Sequence, residues 1–386
     1  MKLLHTSDWH IGRSLFEFSL LDDQREIFEQ ICSIVRNEQV DAVLISGDLY
    51  DRSLPSADAV QLLDHIFTTL TEQIGVPVLA ISGNHDSGSR VSYGSRMLEK
   101  SGLYLAGGFS SRLKKVTLHD SMGPVHFFLL PYFLPQQVRL ALSQEEPEQL
   151  RTASACFAAL LAHNADQIDS TQRNVLLAHG FFICTDTPVP VCNGGETAVG
   201  TSDLCDLSPA EVFDYVALGH LHRPQTAGNP KMRYSGSPLK YAVDEAGSEK
   251  SVTLVELGEK GELSVRLLPL RPKRDLRVIT GSCDQLCDPS LASDDYVFAQ
   301  LISDGPVLGA IHRLRQIYPH TLGLRFQTPD APALTQTVQD PASLPPQRLF
   351  ELFYQQVQGE DCDPQRMKLV EELFSQLEHR CWKMTD

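Results

Sequence analysis

"DAVLISGD", residues 41–48, decides how this chain folds. An uninterrupted run from Ala42 to Ser46 ends in Gly47 and a carboxylate, Asp48. Such a run, short and rich in branched residues, reads as a strand buried on both faces. Strands of that kind belong to layered α/β domains, where ligands gather outside the carboxyl ends of the strands. A charge pushed from the strand tip therefore predicts a cation for it to meet. The loop that follows, "LYDRSLPS" (49–56), is turn chemistry, and Asp51 is expected to cap the next helix.

The same arrangement recurs along the chain. "KLLHTSDWH" (2–10) reads as a strand whose tip carries Asp8 and His10, and "VPVLAISGNHD" (76–86) as one carrying Asn84, His85 and Asp86. "NVLLAHG" (174–180) ends in His179, and "YVALGHLH" (215–222) in His220 and His222; a further strand is expected at "VHFFLLPY" (125–132). Five of the 13 histidines thus stand at predicted strand tips, a concentration that scattered turn chemistry does not explain. Between the strands, Ile27, Phe28, Ile31, Ile34 and Val35 recur at helical spacing within 22–39. Val60, Leu63, Phe67, Leu70 and Ile74 do so within 56–74. Beyond residue 230 the pattern turns all-β, with "MRYSGSP", "KSVTLVEL" (250–257) and "LSVRLLPL" (263–270).

Two neighbouring divalent cations need a carboxylate that bridges them, and Asp48 is the natural bridge. Carboxylate, amide oxygen and imidazole together suit Mn or Fe, and in some sites Zn, better than Ca or Mg. Such a pair activates water and stabilises the departing oxygen of a phosphoester. Gly47, Gly83, Gly180 and Gly219 stand beside these residues, where a sharp turn is expected.

Composition bounds the rest. The 386 residues allow two or three domains, and 42% hydrophobic with 21% charged residues describe a globular chain. No apolar stretch approaches the roughly 20 residues of a membrane helix, and the start lacks the pattern of a signal peptide. Nine cysteines without a CxxC pair fit a reducing cytoplasm, and no zinc site is expected at Cys283 and Cys287. A net charge of −16 counts against a protein that coats nucleic acid, although bound cations attract phosphate locally.

The ordered set DxH, GD, GNHD, GH and GHxH resembles the calcineurin-like metallophosphoesterase signature. The longer stretches "LHTSDWHIGR", "VALGHLHRPQ" (216–225) and "YSGSPLKY" (234–241) resemble the SbcD family, nuclease subunits of bacterial SbcC–SbcD complexes. The resemblance implies an α/β fold, a metallophosphoesterase-type β-sandwich flanked by helices, over 1–272. It further implies a small α+β capping and DNA-binding domain over 273–330, a linker over 331–345, and helices over 346–386 that dock to an SbcC-type ATPase. Those last helices are expected around 346–357 and after Asp363, with Pro364 at the first helical position and Leu369, Leu373 and Leu377 four apart.

On the same basis one metal is held by Asp8, His10 and His222 and the other by Asn84, His179 and His220, with Asp48 bridging. His85 is the catalytic histidine, and Asp86 orients a neighbouring imidazole or the loop. The cofactor implied is two divalent ions, foremost Mn²⁺. The activity implied is 3′-to-5′ exonuclease action on duplex ends and endonuclease action on hairpins or single strands. Implied partners are DNA, the ATPase in a heterotetramer, and a second copy of this chain through catalytic-domain helices. The alternative within the superfamily is a small-molecule phosphodiesterase or phosphatase. Arg271, Lys273, Arg274 and Arg277 form the densest basic cluster, read either as a DNA-phosphate contact or as a solvated linker.

Overall fold

The computed structural model describes residues 1–142, 150–184, 204–303, 305–327, 346–358, 362, 363, 366–370 and 373. By compactness the chain forms a large unit, Met1–Ile302 with Pro306–Phe326, and a small one, Ser303–Gly305 with Gln327–Asp386.

The large unit is built on two six-stranded sheets. In chain order the strands of its first part are β1 (Lys2–Thr6), β2 (Ala42–Ser46), β3 (Val78–Ile81), β4 (Leu103–Ala106), β5 (Lys114–Asp120), β6 (Gly123–Leu130) and β7 (Arg173–His179). Then come β8 (Tyr215–Gly219), β9 (Gln225–Ala227), β10 (Asn229–Tyr234), β11 (Ser251–Leu257) and β12 (Leu263–Pro269). One sheet runs β12–β11–β1–β2–β3–β4, parallel from β1 to β4. The other runs β9–β10–β8–β7–β6–β5, with β10, β8, β7 and β6 parallel. In register, Leu3 faces Ala42 across β1 and β2, and Gly219 faces His179 across β8 and β7.

Alternate residues of each strand go to different cores, because side chains alternate across a strand. Leu3, Leu44, Leu79 and Ile81 of the first sheet meet Phe127, Leu129, Val175 and Leu177 of the second in a sandwich core. Leu4, Val43, Ile45 and Val78 face the other way, onto helices α1 (Leu21–Glu38) and α2 (Ala57–Thr68). Phe128, Leu130, Leu176 and Leu218 pack under helix α3 (Ala153–His163). Both layers of helices are therefore held by strands without a solvent face, each buried Leu, Ile or Phe contributing about 1.5–3 kcal/mol.

Helix α1 buries Ile27, Phe28, Ile31 and Val35 as its spacing predicts, with Ile34 at the margin. Helix α2 departs from the expected face. Val60 is 44% exposed, whereas Ala59, Leu62, Leu63, Ile66 and Phe67 are buried. Val60 lies at the edge of the stripe centred on Ala59, Leu62 and Ile66, and at Thr69 the α2 segment continues as a six-residue π-helix to Ile74. Ser56 caps α2 by accepting from the Ala59 N–H at 3.2 Å, so Asp51 is not the cap. Strands β4 and β5 carry weaker apolar patterns and are not apparent from the sequence.

A three-stranded sheet of β13 (Leu276–Gly281), β14 (Tyr296–Ile302) and β15 (Thr321–Gln327) carries helix α4 (Ala310–Ile317). Its own core is Val297, Ala299, Leu301, Leu314 and Tyr318. Its near end joins α1: the buried Asp23 carboxylate accepts from Tyr296 Oη at 2.7 Å and from Arg274 Nη1 at 3.1 Å. The basic stretch expected between domains is largely paired, with Lys273 on Glu26 at 2.8 Å, Arg274 also on Asp294 at 3.0 Å, and Arg277 on Asp295 at 2.8 Å.

In the small unit, α5 (Pro346–Gln358) coincides with the first terminal helix expected. The linker lies outside the described residues, as does most of the second terminal helix, including Leu377. Among the described residues no helix is long and apolar enough to cross a membrane.

Removing one partner of a buried, hydrogen-bonded ion pair costs about 3–5 kcal/mol. Asp23→Ala is accordingly expected to lower unfolding stability in urea by about that much. Hydrogen exchange should quicken first in 276–326, and equal protection there in the variant and the parent would contradict the clamp.

Candidate metal centre

The carboxyl ends of β1, β2, β3, β7 and β8 converge, and the expected donors follow them into one site. Asp8 Oδ1 accepts from the His220 N–H at 2.9 Å, which joins the tips of β1 and β8. Asn84 Oδ1 lies 3.0 Å from His179 Nε2 and 3.2 Å from His220 Nδ1. His10 Nε2 and His222 Nε2 are 3.1 Å apart. Asp48 stands between the two groups: its Oδ2 lies 3.6 Å from His10 Nε2 and 3.5 Å from His179 Nε2. Its Oδ1 accepts from the His85 N–H at 2.9 Å, so only Oδ2 is left to face the cluster.

The backbone is bent hard to achieve this. Of six non-glycine residues with positive φ among the described residues, four are Asp8 (53°), His10 (46°), Asp48 (52°) and His220 (111°). Strain of this kind costs about 1–3 kcal/mol per residue and persists where a site over-determines it. Gly47 has φ 95°, and a Cβ there would lie 2.2 Å from His179 Nδ1. Gly219 has an ordinary φ, but its Cβ would meet the Ser46 carbonyl oxygen at 1.9 Å. The two sheets approach too closely at that point for any side chain.

Three of the imidazoles are each oriented by a second partner. His179 Nδ1–H donates to the Ser46 carbonyl at 2.8 Å and His85 Nδ1–H to the Asp51 carbonyl at 2.9 Å, which leaves both Nε2 atoms to the site. His222 Nδ1–H donates to Glu245 Oε1 at 3.0 Å, and Lys250 Nζ holds Glu245 Oε2 at 2.5 Å. Burial pushes the Glu245 carboxyl up, yet His222 and Lys250 hold it down to about 2. Neither Glu245 nor Lys250 is apparent from sequence, since "DEAGSEK" follows no strand and has no metal-ligand spacing.

Burial also raises the Asp8 carboxyl and carries the His10 imidazole well below its ordinary range. Burial opposes charge on His179 as well, but the Asp48 carboxylate lifts it to about 9; Asp48 in turn is held below the usual carboxylate range by His179 and His10 against its own burial. Buried carboxylates packed among buried imidazoles are satisfied together by cations. Asp8, His10 and His222 each offer an atom within 4.8 Å of the others, and so do Asp8, Asp48 and His179. The donor chemistry therefore fits a pair of divalent ions.

Asp86 takes a different part from an imidazole partner. Its carboxylate accepts from the N–H groups of Leu49, Tyr50 and Gly83 at 2.9–3.0 Å, and so ties the loop after β2 to the loop after β3. Burial and the neighbouring Asp48 push it up to about 6 against those three donors. Asp51 binds Arg13 Nη1 at 2.7 Å and lies with His10 and His85 in a third grouping of donor atoms. Arg271, Lys273, Arg274 and Arg277 are not part of this cluster.

The first 224 residues match the calcineurin-like phosphoesterase family, and residues 272–358 match the type 5 capsule protein repressor C-terminal domain. The chain belongs to the calcineurin-like phosphoesterases, a class of metal-dependent hydrolases. Within that class it belongs to the SbcD family. It is 30% identical to the SbcD subunit of the SbcCD nuclease of Staphylococcus saprophyticus, over 98% of this chain and 98% of that protein. It is 31% identical to the SbcD subunit of the SbcCD nuclease of Staphylococcus epidermidis, over 84% of this chain and 85% of that protein. Among solved structures, a dimetal phosphatase from Danio rerio overlaps 71% of this chain and 99% of its own, at 13% identity and a TM-score of 0.39. That likeness is too loose to bear on the site.

Partners that orient a metal-bound imidazole are worth about 10–100-fold in metal affinity. Glu245→Gln should weaken Mn²⁺ binding by about that factor in calorimetric titration. It should also reduce the rise in melting temperature that added Mn²⁺ produces in the parent. Unchanged affinity would remove Glu245 from the site.

Proposed function

We propose that this protein is the metal-dependent DNA nuclease subunit of an end-processing complex, hydrolysing phosphodiesters with two divalent ions. The observation that carries this reading is the position of Asp48 Oδ2, nearly equidistant from His10 and His179, which belong to the two different donor sets. Asp8, His10 and His222 would hold one ion and Asn84, His179 and His220 the other, with Asp48 shared. The mixed oxygen and nitrogen donors favour Mn²⁺. When bound, such ions supply an activated water and stabilise the charge that develops on the phosphate.

The chain's own residues do the rest. Asp48 fixes the His85 backbone, and the Asp51 carbonyl fixes its ring, so Nε2 is aimed without reorganisation. With a proton on Nε2 as well as on Nδ1, His85 would donate the Nε2 proton to the departing oxygen and be left as the neutral Nδ1–H imidazole. Asp86 holds the two loops that carry Asp48 and His85 at constant separation. The substrates in this reading are duplex ends, cut 3′ to 5′, and hairpins or single strands, cut internally. The relatives named as SbcCD nuclease subunits support that class over a minimal phosphatase.

The domain division follows: 1–272 catalytic, 273–330 capping, 331–345 linker and 346–386 docking to an SbcC-type ATPase in the cytoplasm. Two copies would pair through α2, where Val60 stands exposed, or through the segment after Asp86, where Tyr93 and Met97 do. A Tyr93→Glu, Met97→Glu double variant should sediment as a monomer where the parent is a dimer. A parent that remains monomeric at every concentration would refute the pairing.

The decisive experiment is cleavage of end-labelled hairpin and duplex DNA with Mn²⁺, beside Asp48→Ala, His85→Gln and a chelator control. Activity should vanish with chelator and fall by at least about 100-fold in both variants, the scale of a lost acid–base group. Hydrolysis of cyclic nucleotides without any cleavage of DNA, with or without the ATPase, would overturn the reading in favour of a small-molecule phosphodiesterase.

A further inference from the structure

Away from the metal centre, a groove of about 300 Å³ opens between α1 and the α2–π-helix segment. Its floor is apolar, made of Phe28, Cys32, Leu62 and Ile66, all buried. At its rim stand Arg25 and Arg36, eleven residues apart on α1, which places them roughly 16 Å apart along the helix. Neither guanidinium has a carboxylate partner within the protein among the described residues. His65 adds a third basic group from α2, against a single carboxylate, Glu29. On a chain of net charge −16 this is a local reversal of sign.

One further feature points to a ligand. Thr69 is only 8% exposed, lines the groove, and its hydroxyl has no hydrogen-bond partner among the described residues. A buried hydroxyl left unpaired costs about 1–3 kcal/mol. The usual remedy in a helix is a bond to the carbonyl four residues back. Thr71 takes it, donating to the Phe67 carbonyl at 2.8 Å, whereas Thr69 does not. Thr69 is also the first residue of the π-helix, a rare distortion found frequently at functional sites.

We propose that this groove is a binding site for a small amphipathic organic anion, its apolar body on Phe28 and Ile66, its acid on Arg36 or Arg25, and a polar atom on the Thr69 hydroxyl. A volume of about 300 Å³ lies at the lower end of small-molecule sites, which pair an apolar lining with few polar anchors. Charge complementarity selects an anion, and the spacing of the cations along an apolar floor selects one with a hydrophobic body. The site is independent of the metal centre and of the nuclease reading.

The test uses the full chain and 8-anilinonaphthalene-1-sulfonate, an aromatic sulfonate that fluoresces when bound to apolar surface. Titration should saturate at one probe per chain. Arg36→Met should weaken binding at least fivefold, Thr69→Val should weaken it less, and Ser33→Trp, which fills the groove from its exposed rim, should abolish it. All three variants should keep the parent's circular dichroism and Mn²⁺ uptake, which separates loss of this site from loss of fold or of the metal centre. Saturable binding that survives both Ser33→Trp and Arg36→Met would overturn the proposal, as would the absence of saturable binding. A change of oligomeric state in Ser33→Trp without probe binding in the parent would assign the groove to a second copy of the chain instead.

Discussion

The structure depends on holding one carboxylate, Asp48, out of water between two sets of donors. It is 2% exposed, its backbone is left-handed, and its two oxygens have separate tasks. One accepts from the His85 N–H and so determines where the next loop runs. The other lies 3.6 Å from His10 and 3.5 Å from His179. A buried carboxylate without such company would be costly to keep ionised. The surrounding imidazoles, and the cations this donor set suits, are what permit it.

That arrangement requires two sheets to meet at their tips. β2 is central in the first sheet, and its last carbonyl, Ser46 O, accepts from His179 on β7 of the second. Contact at this distance leaves no space for a side chain at Gly219 and forces a positive φ at Gly47. Strain at Asp8, His10, Asp48 and His220 is borne by rigid neighbours rather than by the loops themselves. Three cores brace them: the sandwich between the sheets and the two helical layers outside. The site is thus preorganised by packing, which spares reorganisation at the moment of reaction.

The partners behind the site show a division of labour. Main-chain carbonyls of Ser46 and Asp51 orient His179 and His85, whereas His222 relies on the buried Glu245–Lys250 pair. Breaking that pair would leave a charge buried without compensation, which ties the stability of the β10–β11 connection to the geometry of the metal centre. On the opposite flank Asp23 clamps the small three-stranded sheet onto α1 through Tyr296 and Arg274. Cations that stand out in the sequence as a free basic cluster are thereby largely committed to intramolecular carboxylates.

The major strands that carry the donors, both long helices and every donor at a strand tip were legible in the sequence. The physical reason is that strands buried on both faces must be uninterrupted apolar runs, and a polar residue at the end of such a run is conspicuous. Other features were not legible. Val60 matched a helical period but lies at the edge of the buried stripe centred on Ala59, Leu62 and Ile66. Strands β4 and β5 lie at sheet edges, where half-exposed positions dilute the pattern. Asp51 read as a helix cap because caps and loop carboxylates share one composition, and only the Ser56 cap of α2 and the 2.7 Å contact of Asp51 with Arg13 separate them. Residue types and their order along the chain determined the class of chemistry by themselves. Which atom faces which, from the tautomer set by Ser46 to the carboxylate of Glu245 behind His222, was decided by tertiary structure, because those contacts join residues 23 to 133 positions apart and leave no local periodicity to read.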